Sequence, residues 1–352
     1  MLLRLAPPRK VCSNRAMLAH APLFQEDLRI GDVIVGTRAL LAPMSGVSDL
    51  PFRQAAARAG ARYTVTEMVA ADALANGRAD VVRRAQFHGD DLNVVQLVGR
   101  EARWIGLGAK LAEDNGADII DLNMGCPSRE VTGVLCGAAL MKDLDHAERL
   151  IDAAVTATTR PVTLKMRLGW DDASRNAPEL AMRAEKCGVK AITVHARTRN
   201  QFYKGHCDWH AVKAVKTAVS LPVIVNGDIV DAASADEAIK QSGADAVMIG
   251  RGACGKPWIA AAIDRHLRTD EVVAEPSMTE RLAIARQHLA DNIAFYGEKN
   301  GVKIFRKHLA WYIEQAPFPD SEEARRAAKS ELCQLDQPAA VEAGLISLWQ
   351  PA

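Results

Sequence analysis

Eight short apolar runs rich in β-branched residues recur between about residue 33 and residue 255, and stretches of helical period separate them. They cover 39–42, 63–66, 94–97, 119–122, 162–165, 192–195, 223–226 and 247–250. Strands that alternate with helices pair in parallel, because each helix carries the chain back before the next strand begins. Eight such units close a barrel. Between the runs lie amphipathic segments at 102–116, 144–158, 177–188, 209–219 and 232–243. Several end alike: Gly116, Gly188 and Gly243 each stand where a helix closes in the left-handed conformation and the chain re-enters a strand. An open doubly wound sheet would more often carry GxGxxG after its first strand, and none is present.

A barrel of this kind uses about 250 residues, and 352 are available. After Pro257-Trp258 the strand signal stops, and helical patterns follow at 279–296, 303–314 and 321–335. The expected fold is therefore α/β: a (β/α)8 TIM barrel over 31–265, followed by a smaller all-helical C-terminal domain over 275–352. Residues 1–30 stand apart. Arg4, Arg9, Lys10 and Arg15 precede the first acid, Glu26, but Pro7-Pro8 would interrupt a helix and no adequate apolar stretch follows. This reads as a disordered or over-extended N-terminus, with Met17 as an alternative start and a mitochondrial-type leader as the second reading.

The 44 Lys+Arg against 43 Asp+Glu leave a net charge of +1, so no whole-molecule field favours a polyanion or a membrane. Any such partner must be met by a local patch. Seven scattered cysteines without a CxxC argue against a disulfide framework or structural zinc and fit a reducing, cytoplasmic setting. No apolar run approaches the roughly 18 residues of a membrane span.

In barrels of this type the active site lies at the C-terminal ends of the strands, and nearly every run here ends in unusual polar residues. Pro43-Met44-Ser45 follows the first, Gln96 sits in the third, and Asn123-Met124-Gly125-Cys126-Pro127 follows the fourth. Lys165 and Arg167 close the fifth, His195 and Arg197 the sixth, Asn226-Gly227-Asp228 the seventh and Gly250-Arg251 the eighth. Glycines after the last two strands let backbone N–H groups approach an anion, which predicts a phosphate-bearing cofactor. These loops alone do not separate flavin mononucleotide (FMN) from a sugar phosphate or pyridoxal phosphate.

Lys165 alternates into the barrel mouth, where it can neutralise an anionic ring or form a Schiff base; the bland alternative is an ion pair with Glu67 or Asp121. Gln96 offers a donor and an acceptor to a flat heterocycle, and with His195 it suits an isoalloxazine edge. Cys126, in a kinked loop with no neighbouring cysteine, can give a proton or act as a nucleophile. Cys136 and Cys254 read as fillers. The segment His206-Cys207-Asp208-Trp209-His210 has ligand types but no zinc spacing, and Asp208 reads as a helix N-cap, so no metal is expected.

The segments APMSGVSDLPFR (42–53), TEMV (66–69), DLNMGCPSREV (121–131), LKMRLGW (164–170), VHARTR (194–199), VNGDI (225–229), MIGRGACGKPWI (248–259) and RKHLAWY (306–312) occur in this order. Together they resemble the tRNA-dihydrouridine synthases, most closely the bacterial B type, over about residues 30–315. The resemblance implies an FMN enzyme that uses NADPH to reduce the C5–C6 bond of specific uridines in tRNA. Pro43, Met44 and Ser45 would line the flavin, with Gln96, Lys165 and His195 at its ring and Asn226, Gly227, Asp228, Gly250 and Arg251 on its phosphate side. Cys126 would be the general acid that protonates C5 after hydride reaches C6. Asn123, Arg167 and Arg197 would contact the substrate, and Arg306 and Lys307 of the helical domain would meet RNA phosphates. Two departures are Cys136, in a place commonly Ala, and the basic N-terminus. The competing readings are an FMN oxidoreductase of a small molecule of dihydroorotate or enone type, which leaves RKHLAWY unexplained, and a non-catalytic RNA-binding barrel, which an intact Cys126 and Lys165 oppose. No membrane partner and no particular oligomer is implied.

Overall fold

The computed structural model describes residues 23–24, 26–87, 89 and 92–349, so the expectation of a disordered N-terminal extension lies outside the described residues for 1–22. Eight parallel strands form a closed ring: β1 (Ala39–Leu41), β2 (Tyr63–Val65), β3 (Leu92–Val98), β4 (Ile119–Met124), β5 (Val162–Arg167), β6 (Ala191–His195), β7 (Val223–Asn226) and β8 (Ala246–Ile249). Each pairs with its sequence neighbour, and β8 pairs with β1 to close the barrel. A two-residue strand, Val69–Ala70, lies beside β3. Each run of the sequence repeat thus becomes one strand.

Helices Ala102–Asp114, Leu144–Ala157, Ala177–Cys187, Trp209–Ala218 and Ala232–Ser242 cover the strands where the periodicity placed them. Gly188 at φ 103° and Gly243 at φ 67° close two of them in the left-handed region, where a side chain would strain the backbone. The other end of the barrel carries an unexpected antiparallel hairpin, Arg29–Ile30 with Val33–Ile34. Its turn places Gly31 at φ 64°, and the flanking Leu28, Ile30 and Val35 pack on Leu40, Val65, Ile119 and Ile224. This apolar plug closes the end opposite the polar strand termini.

Beyond the last barrel helix, Ile259–Thr269, the chain is helical: α1 (Met278–Tyr296), α2 (Glu298–Gln315), α3 (Glu322–Leu332) and α4 (Pro338–Trp349). The last was not expected, because its mostly apolar sequence lacks the one-sided period that marks a surface helix. These helices share a core of Leu282, Leu289, Phe305, Leu309, Ile313, Leu345 and Trp349, joined by Trp258 from the barrel side. Gly255 allows that approach, since a Cβ there would meet the Trp311 carbonyl oxygen at 2.4 Å.

The joint between the two parts is built on Asp49. One carboxylate oxygen caps the helix Leu50–Arg58 by accepting the Phe52 N–H at 3.1 Å; the other accepts the Tyr296 hydroxyl of α1 at 3.0 Å. The Phe52 ring stacks on His308 of α2 at 5.3 Å and lies 5.9 Å from His288 of α1. His288 Nδ1 shares a 3.0 Å hydrogen bond with the Tyr312 hydroxyl.

Candidate active site

At the C-terminal mouth of the barrel lies a cavity of about 1100 Å³. It collects every residue expected there: Pro43, Met44 and Ser45 after β1, Gln96 on β3, Asn123 and Cys126 at the end of β4, and Lys165 and Arg167 on β5. His195 and Arg197 line it from β6, Asn226, Gly227 and Asp228 from β7, and Gly250 and Arg251 from β8. Trp311 and Gln315 of α2 reach the same cavity, so the helical part helps to wall it. The strand registers make this convergence: Asn123 lies opposite Lys165, Gln96 opposite Asp121, and His195 opposite both Arg167 and Asn226.

On one side of the mouth Lys165 donates to Asn226 Oδ1 at 3.0 Å, and Asn226 Nδ2 donates to the Met248 carbonyl at 2.7 Å. Lys165 makes no salt bridge with Glu67 or Asp121; Glu67 accepts the Gly46 N–H, and Asp121 accepts Thr163 Oγ1 and Gln96 Nε2, each at 2.7 Å. The lysine therefore has protons left to direct into the cavity. The backbone N–H groups of Asp228 and Gly250 make no hydrogen bond within the described chain. Gly227, at φ 114°, has no room for a side chain, because a Cβ would meet Cys207 Sγ at 2.3 Å. Free N–H donors beside a cation fit a phosphate-bearing anion.

The guanidinium groups of Arg167 and Arg197, each 1 % exposed, hold loops. Arg167 donates to the carbonyls of Gly125, Thr198 and Phe202 at 2.7, 3.0 and 2.8 Å. Arg197 donates to Asp228 Oδ2 at 2.6 Å and to Cys207 Sγ at 2.9 Å. One oxygen of the Asp228 carboxylate is thus held by Arg197, and Arg251 lies 3.8 Å from the other. Asp208 caps the helix Trp209–Ala218 by accepting the Ala211 N–H at 3.1 Å, as expected. Arg306 lies away from the mouth and donates to the Gln334 and Leu335 carbonyls beyond α3. Lys307 also lies on α2, outside the cavity lining.

The dihydrouridine synthase family model matches residues 40–344. The chain belongs to the dihydrouridine synthase family. It is 50 % identical to a probable tRNA-dihydrouridine synthase of Rhizobium leguminosarum bv. phaseoli over 80 % of this chain and 86 % of that one. It is 51 % identical to that of Rhodobacter capsulatus over 82 % and 90 % of the two chains, and 42 % identical to tRNA-dihydrouridine synthase B of Pseudomonas aeruginosa over 82 % and 88 %. Among solved structures it resembles morphinone reductase in fold, with a TM-score of 0.51 at 16 % identity, over 74 % of this chain and 94 % of that one.

In this dihydrouridine synthase, burial pushes the Cys126 thiol up, against the pull of Arg167 and Lys165, so the thiol is protonated at neutral pH. Burial, and secondarily Arg167, lowers Lys165 to about 8, which leaves it mostly cationic at pH 7. Burial together with Arg167 and Lys165 holds His195 neutral, well below its usual range. Of the two cysteines read as fillers, Cys136 is buried outside the cavity, whereas Cys254 lies on its wall. Met68, expected at the end of the second strand, is in the lining, whereas sequence reasoning missed Tyr203, Trp311 and Gln315 there. For Tyr203 a local signal existed: it sits in the polar loop after β6, at a strand end where site residues gather. Trp311 and Gln315 gave none, since only packing of α2 brings them to the mouth.

Proposed function

We propose that this dihydrouridine synthase binds FMN in the barrel mouth and, with NADPH as electron donor, reduces specific uridines of tRNA to 5,6-dihydrouridine. The observation that carries the proposal is a thiol, Cys126, on the wall of the same cavity as Lys165 and the residues after β7 and β8 whose N–H groups are unbonded within the described chain. FMN bound there would supply hydride to C6 of the uridine, and NADPH would restore it.

The chain's own residues do the rest. The N–H groups of Asp228 and Gly250, with Arg251, hold the phosphate; Pro43, Met44 and Ser45 bound the ring. Lys165, aimed by Asn226, places its charge at the ring edge, and neutral His195 packs alongside. Cys126 holds a proton at Sγ for C5 of the uridine, and Asn123 keeps that loop in place. The uridine must leave the RNA stack first, at a cost of a few kcal/mol that phosphate contacts elsewhere offset.

The helical part is the proposed source of those contacts. Much of its positive charge is already paired: Arg286 with Glu342, Arg326 with Glu322 and Lys329 with Glu314. Exposed Lys303 and half-buried Lys307 on α2 are left for phosphates, while Arg306 supports the fold. The test is mass spectrometry of unmodified tRNA incubated with purified protein, FMN and NADPH. Formation of dihydrouridine is expected. NADPH oxidation with a small enone but none with tRNA would establish the small-molecule reading instead.

A further inference from the structure

We infer that Asp121, on β4 beneath the cavity, is a positioning residue that sets the Cys126 loop through Gln96 and Asn123. This rests on the reading of Cys126 as proton donor. The four residues form one directed chain of hydrogen bonds. A carboxylate has only acceptors to offer, so Gln96 turns Nε2 toward Asp121 Oδ2, at 2.7 Å. Its Oε1 then faces Asn123 and accepts Nδ2, also at 2.7 Å. Asn123 is left with Oδ1 toward the loop, where it accepts the backbone N–H groups of Gly125 at 3.1 Å and Cys126 at 2.9 Å.

Each amide takes its direction from the one before it. Inverting either would set donor against donor or acceptor against acceptor, and water cannot easily relieve the conflict because Asp121 is 4 % and Gln96 1 % exposed. Thr163 Oγ1 holds the other oxygen of Asp121 at 2.7 Å. On its carbonyl side Cys126 is held by Ala138 N–H at 3.0 Å. The amide side of the cysteine therefore depends on a chain that starts at Asp121. Gln96, expected to spend its amide on a flavin ring, has one donor and one acceptor position committed inside the protein.

Two readouts test this: peptide-resolved alkylation of Cys126 by iodoacetamide across pH, and single-turnover formation of dihydrouridine in the FMN-loaded enzyme. Asp121→Leu is expected to displace the alkylation profile and to slow dihydrouridine formation about 10²-fold, the order of loss from a misplaced reacting group, with NADPH-driven flavin reduction at the parental rate. Asp121→Asn is expected to restore both, because its Oδ1 still accepts from Gln96 while its Nδ2 faces Thr163 Oγ1, which can accept. That rescue depends on Thr163. Asp121→Asn combined with Thr163→Val leaves the asparagine Nδ2 without its acceptor, removes the bias at this end of the chain and is expected to fall about tenfold below either single variant, the worth of one buried hydrogen bond.

A parental alkylation profile in Asp121→Leu, failure of Asp121→Asn to rescue, or a double variant no worse than the singles would overturn the inference. If Asp121→Leu does not fold, the near-isosteric singles and double decide it. Parental dihydrouridine formation by Cys126→Ala would instead remove the role of Cys126, while the alkylation profiles would still judge the relay.

Discussion

The barrel mouth and the joint between barrel and helices both bury titratable side chains, and burial shifts both sets in the same direction. His195 in the mouth and His288 and His308 in the joint are all held neutral, chiefly by desolvation. The two regions differ in what the polar atoms face. In the mouth, Lys165, Cys126, Asp228 and Gly250 line a cavity, and the N–H groups of the last two meet no partner among the described residues. In the joint, the His288 and His308 rings pack 4.5 Å apart among Phe52, Phe305 and Tyr312, and their Nε2 atoms meet no partner. A perturbed pKa and an unpartnered polar atom thus mark burial in both places, and only the cavity beside the donors distinguishes a site from a seam.

The sharpest way to break this contrast is to remove the thiol. Cys126→Ala is expected to bind FMN, accept electrons from NADPH and bind tRNA, while single-turnover dihydrouridine formation falls by about 10² to 10⁴, the range for loss of a general acid. Cys136→Ala, truncated outside the cavity, should retain near-parental rates. In the joint the expected loss is of stability: Phe52→Ala removes the ring packed against the two histidines and should cost about 3–5 kcal/mol in denaturant titrations.

Acid should separate the regions next. His288 falls from 6.5 to about 3 on folding, so only the unfolded chain takes up its proton in between. That stability is fully present above pH 6.5 and is lost as pH falls toward 3, by about 1.4 kcal/mol per pH unit. His308, lowered likewise, adds to it. Denaturation midpoints at pH 7 and pH 5 measure the slope, and a flat profile would show that the joint does not hold its histidines neutral.

Smaller effects belong to binding. Lys165→Ala should weaken FMN retention about 10- to 100-fold, the worth of one charged hydrogen bond, read by fluorescence titration. Replacing Lys303 and Lys307 together by Ala should lower the log-log salt slope of tRNA binding by about 0.7 to 0.9 for each phosphate that is no longer neutralised. Arg306→Ala should act on stability instead. An Arg306→Ala variant with parental stability but weakened tRNA binding would return that residue to the RNA face.

The strands, the covering helices and the strand-end residues were legible because the signals are local. A period of two or 3.6 needs only neighbours along the chain, and in a closed parallel barrel every strand ends at the same face. Thus Cys126, Lys165 and the two glycine loops could be placed at one mouth from their positions along the chain. The helix ends at Gly188 and Gly243 were legible for the same reason, since a left-handed residue is a property of one position.

What only the tertiary structure decided were partnerships across long stretches of chain. Nothing near Asp49 announces that it meets Tyr296, 247 residues away, or that α2 would send Trp311 and Gln315 to the mouth. Nor does the helical pattern separate Arg306, which holds carbonyls beyond α3, from Lys303, which is exposed. The directions of the Gln96 and Asn123 amides belong to this class too. A side chain's type lists the hydrogen bonds it can make, but which atom donates and which accepts is settled only when a buried partner such as Asp121 leaves one arrangement in which every proton has an acceptor.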